Sequence, residues 1–387
     1  MKKLSLPALF LLVLGVESHV YGNDTGESYP SIQLHGRFQL DAALHDEDNV
    51  SFGDGLRARR IRMAMSGDLD SRWSFMLDYD FAEEEVGARF VMLTRKLSGG
   101  TLKIGQFKVP MSLSGQGGSF NSTFIERSSN VNAIKDFFRM GLGYDYHSHF
   151  YGAETMVYSR SMGSGGDKEG DDMPIGAAAR VYANPVRHDG MVAHLGISGA
   201  WENRRDYDGI RLNDRPEAWV DKSVMLIDTG QEGGDPPFID NVDSTFKSGL
   251  EFAFLRGPFL LAAEYLMADI RRDGVSDLRF DGYHAEISYV LTGESRGYGN
   301  GVFGGLRPEN STLGAWEVAT RWSSIDLRDE DIEGGKQENL TLGVNWYATD
   351  SIRFMANVIF ADATESPEDN GKDDSPTIYL LRAQYHF

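Results

Sequence analysis

Arg37, Arg60, Arg62, Lys247, Arg321 and Arg353 stand in stretches where polar and apolar residues alternate, and Arg59 sits directly before the closest pair. A guanidinium is always charged at neutral pH, and its planar fork can hold two oxygens of one oxyanion at once. Such groups ringed along one side of a wall replace part of an anion's hydration shell and favour its passage. The same polar faces carry carboxylates at Asp41, Asp78, Asp80, Asp145, Glu251, Glu264, Glu286 and Glu317. Charges of both signs also do something plainer, pairing across neighbouring strands and hydrating a wide lumen. Arg59, Arg60 and Arg62 are set apart by their clustering. Strict alternation turns Arg59 away from the polar face, so either the strand bulges there or only Arg60 and Arg62 line the path.

Other chemistries find less support. With 0 cysteines, disulfides, thiolate metal sites and a cysteine nucleophile are excluded. His147 and His149 fall in a predicted turn, where a hydrated pair is the plainer reading. The acidic stretches 167–172, 326–333 and 362–374 suit solvated external loops better than calcium sites. No Gly-rich loop joins a strand to a helix in the way a nucleotide site needs, and nothing assembles Ser, His and Asp into a triad. No catalytic residue, cofactor or metal is therefore expected. The formal net charge of -20 argues against nucleic acid as a partner.

The elements that must position these charges are strands. Residues 31–44 place Ile32, Leu34, Phe38, Leu40, Ala42 and Leu44 on one face and Gln33, His35, Arg37, Gln39 and Asp41 on the other. Comparable stretches recur near 57–67, 72–81, 139–147, 150–160, 191–203, 245–255, 258–270, 280–292, 313–325, 337–347 and 351–360. With the less regular segments the count is about sixteen, each near the ~10 residues of a tilted membrane-spanning strand. The chain ends TIYLLRAQYHF, whose apolar face finishes on Phe387, as the closing strand of a barrel would, because no unpaired edge is tolerated in lipid. At the other end Lys2 and Lys3 precede a short apolar run, the pattern of an export signal. The expected organisation is a signal peptide at 1–22 and one all-β transmembrane antiparallel barrel at 23–387, with inward-folded loops. Connections should alternate between tight periplasmic turns and long external loops. Long ones are expected at 45–56, 109–138, 160–175, 203–244, 326–336 and 361–376. Residues 293–312 break the rule, being long on the periplasmic side, and are expected to fold back into the lumen.

Several runs together resemble the phosphate-selective porin O and P family: GLRARRIRMAMSGDL at 55–69, GQFKVP at 105–110, FIERS at 124–128, PVRHDGMVAHLG at 185–196, LTGESRGY at 291–298, GAWEVATRWS at 314–323 and LGVNWYATDSIRFMANV at 342–358. The resemblance covers nearly the whole mature chain. It implies a sixteen-stranded, homotrimeric porin of the Gram-negative outer membrane, embedded in its lipid, with a constriction lined by arginine and lysine. The paired arginines of the family's second strand are present as Arg59 and Arg60. The inward third loop departs from the pattern, since MSLSGQGGSFNST at 111–123 has no cation where the phosphate-selective members place a lysine. The expected function is a passive diffusion channel for small inorganic anions, phosphate or a related oxyanion first, with Arg37, Arg59, Arg60, Arg62, Arg321 and Arg353 as pore-lining, anion-binding residues. A general or cation-preferring porin stays open as the alternative, as do an outer-membrane adhesin, a barrel enzyme and a secreted soluble β-protein.

Overall fold

The computed structural model describes residues 29–387 except 84, 164–172, 189, 205–208 and 231–238. The predicted signal peptide lies outside the described residues. A closed 16-strand antiparallel barrel occupies the rest. Its strands are β1 Gln33–Asp46, β2 Gly55–Asp68, β3 Trp73–Asp80, β4 Gly87–Leu97, β5 Gly100–Lys108, β6 Phe138–His147, β7 Tyr151–Tyr158 and β8 Ile175–His188. They continue as β9 Met191–Asn203, β10 Val242–Arg256, β11 Phe259–Arg272, β12 Leu278–Val290, β13 Ala315–Asp329, β14 Ile332–Tyr347, β15 Ile352–Ser366 and β16 Thr377–His386. Each strand pairs with its neighbours in sequence, and β16 closes the ring on β1, with Phe38 opposite Tyr385 and Leu44 opposite Tyr379. Phe387 and Gly36 seal the seam by exchanging backbone hydrogen bonds of 3.1 Å.

Alternation builds a wall with two different faces. Leu34, Leu56, Ile197, Leu250, Leu342 and Leu381 are exposed on the outside, where the solvent is lipid rather than water. Near the periplasmic rim Trp346 stacks between Trp316 and Phe354, with ring centroids 5.6 and 5.5 Å apart, as expected of an interfacial aromatic girdle. The inward face carries the charges.

Short turns at 69–72, 98–99, 257–258 and 348–351 mark the periplasmic end. The predicted long loop at 326–336 is not one. There β13 and β14 run on to a two-residue hairpin at Glu330 and Asp331, with Glu330 at φ 50°. The ladder continues beyond the membrane, where the outward face turns polar, so the apolar half of the pattern ends before the strand does. For the same reason β15 extends to Ser366, past its predicted end near residue 360.

Three connections enter the barrel. The third external loop, 109–137, carries helices α1 Leu113–Gln116 and α2 Ser129–Ile134. The described part of the fifth external loop lies above it, Ile227 packing with Val131 and Ile134 of α2 and with Leu266, Phe280 and Ile325 of the wall. The periplasmic connection 291–314 rises from below, as its length predicted, with Phe303 packed against Leu113, Ala253 and Ala262.

Candidate functional site

The third loop must cross a wide lumen, and inward polar residues of the wall hold it there. Glu264 of β11 accepts the backbone N–H groups of Leu113 and Ser114 at 2.8 Å each, satisfying donors that a helix start leaves orphaned. Asn357 of β15 accepts the Ile125 N–H at 2.8 Å, and Arg353 donates to the Ser122 carbonyl at 2.8 Å. Gln337 and Asn339 of β14 donate to Ser129 Oγ at 2.9 and 3.0 Å. The main anchor is Glu126, whose carboxylate accepts from Arg59 at 2.8 Å, Arg60 at 3.1 Å and Arg382 at 2.7 Å. Burial works to raise the Glu126 carboxyl, but these three guanidiniums outweigh it and hold it well below the usual carboxylate range.

The strand bulges at Arg59. Gln39 lies opposite Arg60 and Leu40 opposite Ala58, leaving Arg59 as an extra residue with no partner in β1, so Arg59 and Arg60 both point inward. Trp219 of the fifth loop covers the Arg59 guanidinium, 4.2 Å from the ring centre. A second bulge lies in β4. Asp78 is opposite Phe90 and Tyr79 opposite Ala88, so Arg89 is the extra residue. The buried Gln106 side chain donates to the Ala88 and Arg89 carbonyls at 2.8 and 3.3 Å, restoring partners where the ladder is broken. Arg89 then reaches to 3.6 Å from Asp80, which also accepts Arg62 Nε at 2.9 Å.

The expected anion-binding residues fall into two groups. Arg59, Arg60, Arg321 and Arg353 hold loops. Arg321 pairs with Glu217 of the fifth loop and donates to the Glu126 carbonyl at 3.0 Å, while Arg353 binds carbonyls at 120–123. Arg37 of β1 and Arg62 of β2, only partly buried, stand on the wall beside the third loop. Arg37 donates to Ser119 Oγ at 3.1 Å and stacks on Phe120. Partners rather than exposure separate the groups, since the Arg59 side chain is 11% exposed and Arg62 14%.

Arg89, Lys108 and Arg127 were not among the expected residues. Lys108 Nζ donates to the carbonyls of Gly115, Gln116 and Gly117 at 2.9, 2.8 and 2.7 Å, which puts a cation at the end of α1 where carbonyls are left over. Arg127 donates to Ser114 and Gly117 carbonyls at 2.9 Å each. Burial first, with the Arg62 and Arg59 charges behind it, lowers the Arg127 guanidinium to about 10, which leaves it charged at neutral pH. The cation-free run 111–123 is thus furnished with positive charge by its flanks. The signal was available in Lys108 of GQFKVP and Arg127 of FIERS. Around the third loop the cations Arg37, Arg59, Arg60, Arg62, Arg89, Lys108, Arg127 and Arg382 outnumber the carboxylates Asp41, Asp78, Asp80, Glu126 and Glu264.

Several of the other inward charges are paired structurally. Arg180 binds Glu251 at 2.8 Å and Glu154 at 3.1 Å, and Lys247 binds Asp136 at 2.7 Å. From the rising periplasmic connection, Arg296 donates to Glu317 at 2.7 Å and to the Asn121 carbonyl at 3.0 Å. His147 hydrogen-bonds Tyr182 Oη at 2.8 Å. Among the described residues no cluster of three or more His, Asp or Glu side chains is placed to hold a metal ion.

Comparison with known proteins agrees with this architecture. A profile of the family described as phosphate-selective porin O and P matches residues 32–387. Porin O of Pseudomonas aeruginosa is 27% identical over 402 aligned residues, covering 92% of this chain and 88% of that protein. An uncharacterized protein of Caulobacter vibrioides is 28% identical over 363 residues, covering 89% and 71%. Among solved structures, OmpT, an outer membrane protein of Vibrio cholerae, superposes with a TM-score of 0.59 at 11% identity, covering 96% of this chain and 100% of that one. An anion-selective porin of Comamonas acidovorans gives 0.55 at 14% identity, covering 92% and 100%. Identities this low show the fold. The family match over the whole barrel does more, and with it the chain belongs to the phosphate-selective porin O and P family, as a porin of the outer membrane.

Proposed function

We propose that this porin is a passive diffusion channel for small oxyanions, inorganic phosphate first, and that it works as a homotrimer. The observation that carries the reading is the excess of cations over carboxylates around the third loop, in a chain whose overall net charge is -20. Net charge is distributed mostly elsewhere, and permeation feels the groups nearest the narrow point, because fields fall off within about 10 Å in salt. Arg62 gives only its Nε–H to Asp80, and Arg89 stands 3.6 Å from that carboxylate, so both retain terminal guanidinium N–H groups for a passing anion. An incoming oxyanion exchanges part of its water for these donors, and the nearby Asp78 and Asp80 keep the attraction weak enough for release. No bond is made or broken, and the reading needs no cofactor or metal. The family's description and the titles of Porin O and of the anion-selective Comamonas porin support it, and a trimer form of OmpT supports the assembly.

The test is the reversal potential of single channels in a planar bilayer under a potassium chloride gradient. The wild type should reverse on the anion side, and millimolar phosphate should reduce the chloride current. Arg62→Glu with Arg89→Glu should move the reversal potential to the cation side. This pair is the better choice, because Arg60→Glu would set two carboxylates against each other at the loop anchor. Unchanged preference in the double variant would remove these residues from the selectivity mechanism. A cation-selective wild type would favour the general porin instead. Native mass of the extracted protein should correspond to three copies.

A further inference from the structure

A groove of about 590 Å³ runs across the outward face of β9 to β13 at the external end of the barrel. Small-ligand sites typically have about 300–1,000 Å³. Register explains its shape. Trp201, Phe246, Asp269 and Arg279 stand side by side in one outward row, and Ser244 stands opposite Arg271 in the next row out. Short side chains at Ser244 and Asp269 thus lie between two aromatic rings and two long guanidinium stems. The aromatic wall is open, Trp201 and Phe246 being 45% exposed each. Depth in the membrane follows from the strands. Tyr265 and Tyr283, opposite each other and exposed, mark the external aromatic girdle, where amphipathic rings meet the headgroups. Asp269 and Arg279 lie further out along the same two strands by roughly 13 Å, so the groove is at headgroup level, beyond the hydrocarbon.

Arg271 is exposed, and its guanidinium makes no hydrogen bond or ion pair among the described residues. Arg279, whose side chain is 65% exposed, gives Asp269 its Nε–H at 2.6 Å. The other carboxylates are held by backbone donors, Asp329 by the Arg279 N–H at 2.7 Å and Asp277 by the Arg272 N–H at 3.0 Å. The groove therefore offers guanidinium donors, carboxylate acceptors and aromatic faces together. A bare phosphate would use only the first of these and meet three carboxylates, Asp269, Asp277 and Asp329. A phosphorylated sugar uses all of them. Its oxyanion suits the guanidinium forks, its hydroxyls donate to the carboxylates, and its ring lies on Trp201. Acyl chains attached to it run down over Phe246 and the exposed Leu250 into the lipid.

We infer that this groove is a docking surface for a phosphorylated glycolipid of the external leaflet, its phosphate taken by Arg271 and Arg279. The surface stands apart from the conduction path and does not depend on what the channel carries.

The test titrates the detergent-solubilised full-length protein with three lipids: diphosphoryl lipid A, the same lipid stripped of its phosphates, and dioleoyl phosphatidic acid, which has the phosphate without the sugar. Lipid A should bind about tenfold more tightly than either, a ratio that corresponds to roughly 1.4 kcal/mol. Arg271→Ala with Arg279→Ala should bring lipid A level with its dephosphorylated form. In the wild type, affinity equal to that for the dephosphorylated lipid removes the phosphate contact, and affinity equal to that for phosphatidic acid removes the sugar. Either result overturns the inference whether or not the variant folds. A preference that survives the double variant also overturns it, as does a fall in the native oligomer mass of the variant, which would make this face a contact between subunits.

Discussion

Glu126 carries more of this molecule than its one charge suggests. It neutralises Arg59, Arg60 and Arg382 together, and Arg382 is shared in turn with Asp41 at 2.6 Å. Removing a carboxylate from such a buried set leaves guanidiniums without compensation, which costs about 3–5 kcal/mol. Glu126→Gln should therefore lower the thermal midpoint of the folded barrel, and it should make the third loop accessible to protease added from outside. The pH dependence has a definite sign. Because its carboxyl is held well below 4.5 in the folded state, the anchor contributes fully above that value and is lost only as pH falls through the depressed one. Single-channel current should stay free of loop-derived noise from pH 7 down to about 4.5, and noise appearing at higher pH would assign the anchoring to other groups. At this scale the sequence was half legible. Arg37 and Arg62 could be placed by alternation, whereas the division between arginines that hold loops and arginines that meet ions depends on carbonyls and carboxylates brought in from distant loops.

Elements were legible wherever two faces meet two solvents. The wall of β1, with its strict alternation, could be read residue by residue. Bulges could not, because an extra residue shows only as a local break in parity. RARR at 57–60 hints at one, since two adjacent arginines cannot both alternate, but ARF at 88–90 hints at nothing, and Arg89 was missed for that reason. The hairpin at Glu330 and Asp331 was missed because its strands leave the membrane before they turn. The periplasmic connection 291–314 was legible by length alone, and its meeting with the third loop can be tested directly. A Cβ placed on Gly305 would stand 2.7 Å from Asn121 Oδ1, and the chain has 0 cysteines to interfere. Asn121→Cys with Gly305→Cys should form a disulfide under mild oxidation and leave the conductance of the oxidised channel equal to that of the reduced one. Failure to cross-link, or a change in conductance on oxidation, would show that the two segments part during conduction.

The whole molecule depends on one seam. Closing the ring leaves no edge, and at the seam a Cβ on Gly36 would lie 2.1 Å from the Phe387 ring. Gly36→Leu should therefore push the Phe387 ring aside and weaken the seam, seen as loss of the compact, heat-modifiable species at a lower temperature on gels, while Gly297→Ala, with nothing within 4 Å of the added Cβ, should leave that temperature unchanged. The barrel also shows how a wall bound on one side by lipid can change its interior. A substitution on the inner face exchanges one lumen group for another. A single inserted codon that is accommodated as a bulge, as at Arg59 and Arg89, adds a lumen charge and leaves every lipid-facing residue on its own side of the register. Selectivity in such channels can then evolve by gain of one residue at a time, with the membrane-facing sequence undisturbed.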